Sequence, residues 1–415
     1  MILVKGKVVE CVGDEMMAII WEKIKYKLIL PYVDFGKNLE VFDLTLENRV
    51  IYGDEIVLDA AKAIKEAGVG IKCATITPDE KKCEEIGKVL RSPNHIIREY
   101  LGGIILREPV ICENIPKIIK SWVNPIYIAR HAYAGNKDVH EMCIEGKGQL
   151  KLSFVDEISG VQTEKIIAEE TKDGVIGATF IEEYAIRAFA RGSMEFAVEK
   201  CLPLFLSTKS TILKNYDGLY QRVFQEVYEN EFKSRFEERG IFYNFILIDA
   251  MVAKAMKSKG GFVWAMKNYD GDVQSDFVSQ GFGSLGLTSS YLMTDDKKVI
   301  QTEACHGTVK NHFKKYLRGE PTSTNPIASI FAWTKALAHR GQLDKNEELV
   351  KFTEIVEKVC IATIESGCMT KDLAAALKNN EFESMTENDY LTTFEFLDKI
   401  AQNLRSCMIL PKMNI

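Results

Sequence analysis

Residues 260–276 read GGFVWAMKNYDGDVQSD. Asp272 and Asp276 stand four residues apart, which on a helix puts both carboxylates on one face. Two carboxylates on one face repel unless a cation lies between them. Oxygen-only, hard donors of this kind suit Mg²⁺ or Mn²⁺. Upstream, Asp249 interrupts NFILIDAMVAKAMK, an apolar run of helical period in which a bare charge is costly.

Working outward, the amino-terminal segments alternate strand and helix. KGKVVECVG reads as a strand and EMMAIIWEKIKYKLI as an amphipathic helix, with LEVFDLTLENR and EIVLDAAKAIKEAG repeating the pattern. That alternation is how an α/β domain begins. GVGIKCATITPDE contains a buried-strand candidate over residues 69–76, with Lys72, Thr75 and Thr77 along it or at its carboxyl end, where ligands of open α/β sheets collect. In KVLRSPNHIIREYLGGIILREP, SPN signals a turn, and Arg98 and Arg107 flank a strand-like run. Arg130 follows in IYIARHAYAG. Each guanidinium fork can grip a carboxylate bidentately.

From about residue 135 to 182 the text changes to short alternating strands, KGQLKLSFVDE and GVQTEKIIAEE. AIRAFARGSMEFAVEK is then a helix, and CLPLFLSTKSTILK is a strand running into a helix with Lys209 at the junction. GFGSLG, at 281–286, matches the dinucleotide fingerprint but continues from a helical acid segment and lacks the required preceding strand. STNPIASIFAW places Asn325 before a proline that opens a helix, and the chain is mostly helical from Trp333 to Leu404.

Taken together, GDEM at Gly13, KCATITPDE, SPNHIIR, ARHAY, LSTKSTILK, KNYDGDVQSD, HGTV, STNPIASIFAW and TFEFLDKIAQNL resemble the homodimeric, eukaryotic cytosolic, NADP-dependent type of isocitrate dehydrogenase, in the isocitrate/isopropylmalate dehydrogenase family. The resemblance covers nearly the whole chain. It implies an α/β fold with a large α/β domain (residues 1–101 and 283–415), a small α+β domain (102–134 and 183–282) and a clasp (135–182) interleaved with that of a second copy. It implies oxidative decarboxylation of isocitrate to 2-oxoglutarate in a homodimer with shared active sites. Substrate would be held by Thr77, Ser92, Asn94, Arg98, Arg107 and Arg130. Mg²⁺ or Mn²⁺ would sit on Asp272, Asp276 and Asp249, the last from the second copy. NADP would be held by Lys72, Thr75, Ile76, Thr77, Lys82, Gly307, Thr308, Val309, Lys310, Asn311, His312 and Asn325, with Lys257 reaching across. Lys209 would accept the hydroxyl proton.

Four departures stand out. The family's RHAYGDQY is RHAYAGNKD here, so Lys137 takes the place of a tyrosine that delivers the last proton. HGTVTRHY has become HGTVKNHF, so Asn311 replaces the arginine that grips the 2′-phosphate; a charge-assisted contact of that kind is worth roughly 1.5–3 kcal/mol. SPNGTIR is SPNHIIR, and a cofactor-contacting arginine is Lys82. NAD in place of NADP, and an isocitrate-binding protein without turnover, are the other readings open at this point.

The 415 residues suffice for two or three domains, and 46% hydrophobic with 27% charged residues is a globular balance. A net charge of −6 disfavours general nucleic-acid binding. No apolar run reaches the ~18 residues of a membrane span, and the start MILVKGKVVE does not resemble a targeting peptide. The expected location is cytoplasmic. Ten scattered cysteines without a C-x-x-C pair, and six histidines, argue for free thiols rather than a zinc site.

Overall fold

The computed structural model describes residues 1–132, 140–378 and 385–409. Lys137 lies outside the described residues. In chain order the strands are β1 (Ile2–Leu3), β2 (Val8–Val12), β3 (Val33–Asp34), β4 (Leu39–Asp43), β5 (Val69–Lys72), β6 (Ile104–Pro109), β7 (Ile126–His131), β8 (His140–Ile144), β9 (Gly148–Val155), β10 (Gln162–Thr171), β11 (Gly174–Ala178), β12 (Leu204–Ser207), β13 (Tyr243–Phe245), β14 (Phe262–Met266), β15 (Thr288–Met293) and β16 (Ile300–Ala304).

Ten strands form one sheet in the order β13-β12-β14-β7-β6-β15-β16-β5-β2-β4. The pairings are parallel from β13 to β7 and from β16 to β4. Across the middle, β7-β6, β6-β15 and β15-β16 are antiparallel. Helices on both faces explain why β14 and β15 are buried at every position. Helix Glu15–Ile24 buries Met16, Met17, Ile20, Trp21 and Ile24, and continues as a π-type turn over Lys25–Ile29. It packs on helix Ile327–Leu343, with the Trp21 and Trp333 rings 5.4 Å apart. No helix among the described residues is long and apolar enough to cross a membrane.

The two alternating segments form strands as their text predicts, β9 and β10, which pair antiparallel, and β8 and β11 form a second antiparallel pair. Their apolar side chains are left outside: Leu152, Phe154, Ile166, Ile167 and Val175 are all exposed.

Several expectations need correction. The strand predicted over 69–76 ends at Lys72: Cys73 N–H makes the last ladder bond, to Cys11 O on β2 (2.9 Å), and beyond it the backbone bonds to Asp14 instead, Ala74 O accepting from Asp14 N–H (2.9 Å) and Ile76 N–H donating to the Asp14 carboxylate (2.8 Å). Arg107 does not flank a strand but lies inside β6, while Arg98 sits on helix Pro93–Leu101. The run containing Asp249 is a short strand followed by helix Ile248–Lys257, whose first turn holds Asp249 at the surface. The charge therefore carries no burial cost. GFGSLG lies at a helix end and a 3-10 turn, in keeping with its rejection as a fingerprint.

Candidate active site

Sheet register gathers the site. Arg107 on β6, Ser290 on β15, Glu303 on β16 and Lys72 on β5 are successive cross-strand partners in one row. Side chains in such a row leave the same face of the sheet. Arg130 on β7 pairs with Ile105, two residues from Arg107, and so joins that face.

Helix Asn268–Gly281 follows β14 and lies across β7. Gly271 permits the approach, since a Cβ there would sit 2.8 Å from Arg130 Cβ. The helix then presents Asp272 and Asp276 to the arginines, as their spacing predicts. Arg130 donates to the Asp272 carboxylate and, through Nη2, to Asn268 Oδ1 at 2.9 Å. Arg107 approaches Asp276 at 3.3 Å and Asp272 at 3.6 Å. Both guanidiniums are nearly fully buried, while both carboxylates are about half exposed. Burial pushes the Asp276 carboxyl above its ordinary value against the pull of Arg107. Burial, then the neighbouring Arg98, pushes Arg130 down.

Arg98 reaches the same region from its helix and donates to Glu303 Oε1 at 2.6 Å. Burial pushes Glu303 up, but Arg98 and Lys72 together outweigh it and hold it below the usual carboxylate range. Lys72 is fully buried, with Nζ donating to Cys73 O (2.9 Å) and Thr75 Oγ1 (3.1 Å); burial lowers its pKa. Lys72 therefore braces the loop after β5 from inside rather than offering its ammonium at the surface. The buried Nε atoms of Arg98, Arg107 and Arg130, and Asn94 Oδ1, make no hydrogen bond within the described residues. Buried donors left unmatched in one patch suit a polyanionic ligand that supplies the acceptors. Ser92 stands at the N-cap position of the helix that carries Asn94 and Arg98, its side chain making no capping hydrogen bond.

Lys209 and Asp249 form a separate pair, Nζ to Oδ1 at 2.9 Å, and the hydrogen bond from Lys209 lowers the Asp249 pKa. Lys209 is placed by Asp217, a fully buried carboxylate that accepts its backbone N–H at 2.8 Å and binds Lys267 Nζ at 2.8 Å. No cluster of three acidic, histidine or cysteine groups able to hold a metal occurs among the described residues. Asp272 and Asp276 have the chemistry of donors to a hard divalent cation: two accessible carboxylates on one helix face, held by arginines. Asp249 does not join them within one chain.

The predicted cofactor residues form two loops and their surroundings. In residues 73–79, Thr75 and Ile76 are partly buried and Thr77 is exposed. Lys82 lies on the next helix, paired with Glu85 at 3.0 Å. In residues 305–309, Gly307 is exposed, Thr308 donates to the Glu15 carboxylate, and Val309 takes φ +58°. Helix Lys310–Leu317 then exposes Lys310 and Asn311. His312 Nδ1 lies 2.6 Å from Thr324 Oγ1, and burial, then Lys315, lowers its pKa. Asn325 caps the following helix, its Oδ1 accepting from Ile327 N–H at 3.0 Å, and its amide donates to Asp372. Lys257 is exposed in the last turn of helix Ile248–Lys257.

Sequence reasoning missed Glu303, Asp217, Asn268, Asp14 and Glu15. The first two are buried acids that orient cationic site residues; Glu303 stands at the start of EACHGTV and Asp217 eight residues beyond Lys209. GDEM was visible as a strand-helix junction, but nothing local indicated that its acids reach both loops.

The family model for isocitrate/isopropylmalate dehydrogenases matches residues 4–389. A chloroplastic NADP isocitrate dehydrogenase of Medicago sativa is 50% identical over 408 residues, covering 98% of this chain and 93% of the relative. A cytosolic NADP isocitrate dehydrogenase of Arabidopsis thaliana is 48% identical, covering 97% and 98%. A mitochondrial NADP isocitrate dehydrogenase of Mus musculus is 47% identical, covering 97% and 89%. Two arginines brought together by sheet register and a third from a helix, gathered beside Asp272 and Asp276, and likeness that runs nearly end to end lead to one conclusion: the chain belongs to the isocitrate/isopropylmalate dehydrogenase family.

Proposed function

We propose that this chain catalyses the oxidative decarboxylation of isocitrate to 2-oxoglutarate with reduction of NADP. The observation that carries the reading is the convergence of Arg98, Arg107 and Arg130 on one face of the sheet, with buried Nε donors unmatched and Asp272 and Asp276 above them.

Asp276 and Asp272 are ion-paired with Arg107 and Arg130. Substrate carboxylates would take the arginines in their place, and Asp272 and Asp276, with Asp249 from a second copy, would hold Mg²⁺ or Mn²⁺. When bound there, the ion would supply Lewis-acid chemistry. Arg98, Arg107 and Arg130 fix the substrate's orientation by bidentate contacts, with Ser92, Asn94 and Thr77 completing the grip. Lys209 from the second copy accepts the hydroxyl proton. NADP, held by the loops at residues 73–79 and 305–309, would supply the hydride acceptor. Lys137 then gives a proton to the carbon that has lost CO₂.

NADP rather than NAD follows from the curated relatives, and from Lys310, His312 and Lys257 offsetting Asn311. The large domain is read as residues 1–101 and 283–415, the small domain as 102–134 and 183–282, and closure of the cleft between them excludes water from the hydride step. The second copy is supported by exposed apolar side chains around the shared residues, namely Ile212, Leu213, Met256 and Val273, and by the uncovered clasp strands. The location proposed is the cytosol.

The test is an initial-rate assay with purified protein, isocitrate and Mn²⁺, following the near-ultraviolet absorbance of reduced nicotinamide with NADP and NAD in parallel. A rise with NADP that disappears on dilution below dimer dissociation is expected. No rise with either cofactor would overturn the activity. A rise with NAD alone would overturn the cofactor, and full activity in a demonstrated monomer would overturn the shared site.

A further inference from the structure

The turn at residues 13–15 connects β2 to helix Glu15–Ile24 and touches both loops assigned above to NADP. Gly13 lies so close to the first loop that a Cβ would meet Ala74 O at 1.9 Å. Asp14 donates its N–H to that same Ala74 O at 2.9 Å. Its buried carboxylate accepts Ile76 N–H at 2.8 Å through one oxygen and Leu46 N–H at 2.9 Å through the other. One side chain thus joins the loop after β5 to the start of helix Leu46–Tyr52. Arg49 of that helix closes the circuit, donating to Ile76 O and Leu44 O.

Glu15 carries the connection to the second loop. Its carboxylate accepts the hydroxyl hydrogen of Thr308. Glu15 takes φ +56°, and Val309, next to its partner, takes φ +58°. Neither is glycine, and a β-branched residue at positive φ is a true outlier. Backbone strain on both sides of one hydrogen bond, at a predicted ligand loop, is the pattern of a site held in shape by its surroundings.

We propose that residues 13–15 are a positioning clamp for NADP, in which Asp14 fixes residues 73–79 and Glu15 fixes residues 305–309, so that both loops stand in their cofactor-binding geometry before NADP arrives. The clamp rests on the reading of these loops as the cofactor's. Glu15 does not touch the cofactor; it acts through Thr308. Pre-ordering lowers the entropy cost of binding, so loosening the clamp weakens NADP binding and leaves the isocitrate site intact.

The experiment compares Glu15→Gly and Glu15→Gln with the wild-type chain. Glycine suits a positive φ, so Glu15→Gly removes the carboxylate without adding strain. Expected for Glu15→Gly are about a tenfold weaker NADPH dissociation constant and a matching rise in KM for NADP, with KM for isocitrate and the melting temperature unchanged. Glu15→Gln, whose amide oxygen still accepts from Thr308, restores most of that loss. Amide hydrogen exchange should quicken at residues 305–309 in Glu15→Gly. Unchanged NADPH affinity with unchanged exchange overturns the clamp, as does a loss shared equally by isocitrate KM and melting temperature. If wild-type protein fails to bind NADPH while Glu15→Gly still quickens exchange at 305–309, the clamp stands and the cofactor reading falls.

Discussion

Glu303→Gln removes one charge from a buried triad without changing its shape. Glu303 is 6% exposed, receives Arg98 Nη2 at 2.6 Å and sits in register beside the fully buried Lys72. Glutamine leaves two buried cations without their countercharge. Breaking a buried pair by removing one partner costs about 3–5 kcal/mol. An unfolding entropy of about 2.1 cal/mol/K per residue over the chain gives about 0.9 kcal/mol/K, so the melting temperature should fall by about 3–6 °C. Isocitrate should recover part of that loss by giving Arg98 a carboxylate, and so stabilise the variant more than the wild type. The assay is thermal unfolding by circular dichroism at neutral pH, with and without isocitrate and Mn²⁺. The pH dependence has a definite sign. Because the folded-state pKa of Glu303 is depressed, its stabilising contribution is complete above the ordinary glutamate value and is lost as pH falls through the folded one. The wild-type advantage should therefore shrink in acid. A variant that melts within a degree of wild type at neutral pH, with the same response to isocitrate, would refute the reasoning.

His131 is fully buried, with its ring stacked on Phe189 at 4.6 Å, and burial pushes its pKa down to about 3. The folded chain keeps it neutral while the unfolded chain protonates it, so stability falls as pH drops from about 6.5 towards 3, at up to about 1.4 kcal/mol per pH unit. Urea unfolding at pH 7 and 5 should show a shallower loss in His131→Asn, and parallel losses would count against the assignment. Lys209→Met should lower kcat by about 10²–10⁴ while calorimetry still detects isocitrate and Mn²⁺ binding; retained turnover would remove Lys209 from the proton transfer. Asp276→Asn should raise the Mn²⁺ concentration for half-maximal rate about tenfold or more, because one hard anionic donor is lost; an unchanged metal requirement would place the ion elsewhere.

Local text carried much of the architecture. The strand-helix alternation of the first 70 residues, the alternating clasp strands and the helical carboxyl third all rest on periodicity, and they formed where periodicity put them. The same-face reading of Asp272 and Asp276 held for the same reason. What local text could not carry was capture by distant groups. β5 stops at Lys72 because the backbone at Ala74 and Ile76 bonds to Asp14 rather than to a neighbouring strand. Glu303 is tied to Arg98 only by sheet register, which brings together positions that no spacing rule connects. Lys72 is buried, in keeping with the buried-strand reading, but its ties to Cys73 and Thr75 are not legible from strand alternation. Asp249 looked costly because a short strand and a helix read together as one apolar run.

The strand order has a consequence for how the chain is made. β5 has only two neighbours in the sheet, β2 on one side and β16 on the other. Lys72 pairs with Glu303, and about 230 residues separate them. At roughly 5–20 residues per second, a ribosome needs roughly 10–45 s to deliver that partner. During that interval an apolar parallel strand, complete and already paired to β2, offers an open edge to any other extended segment. Unpaired edges of this kind are where nascent chains aggregate. Slow translation between β5 and β16 should therefore make the protein depend on chaperones that shield strand edges, and the amino-terminal hundred residues expressed alone should not remain in solution.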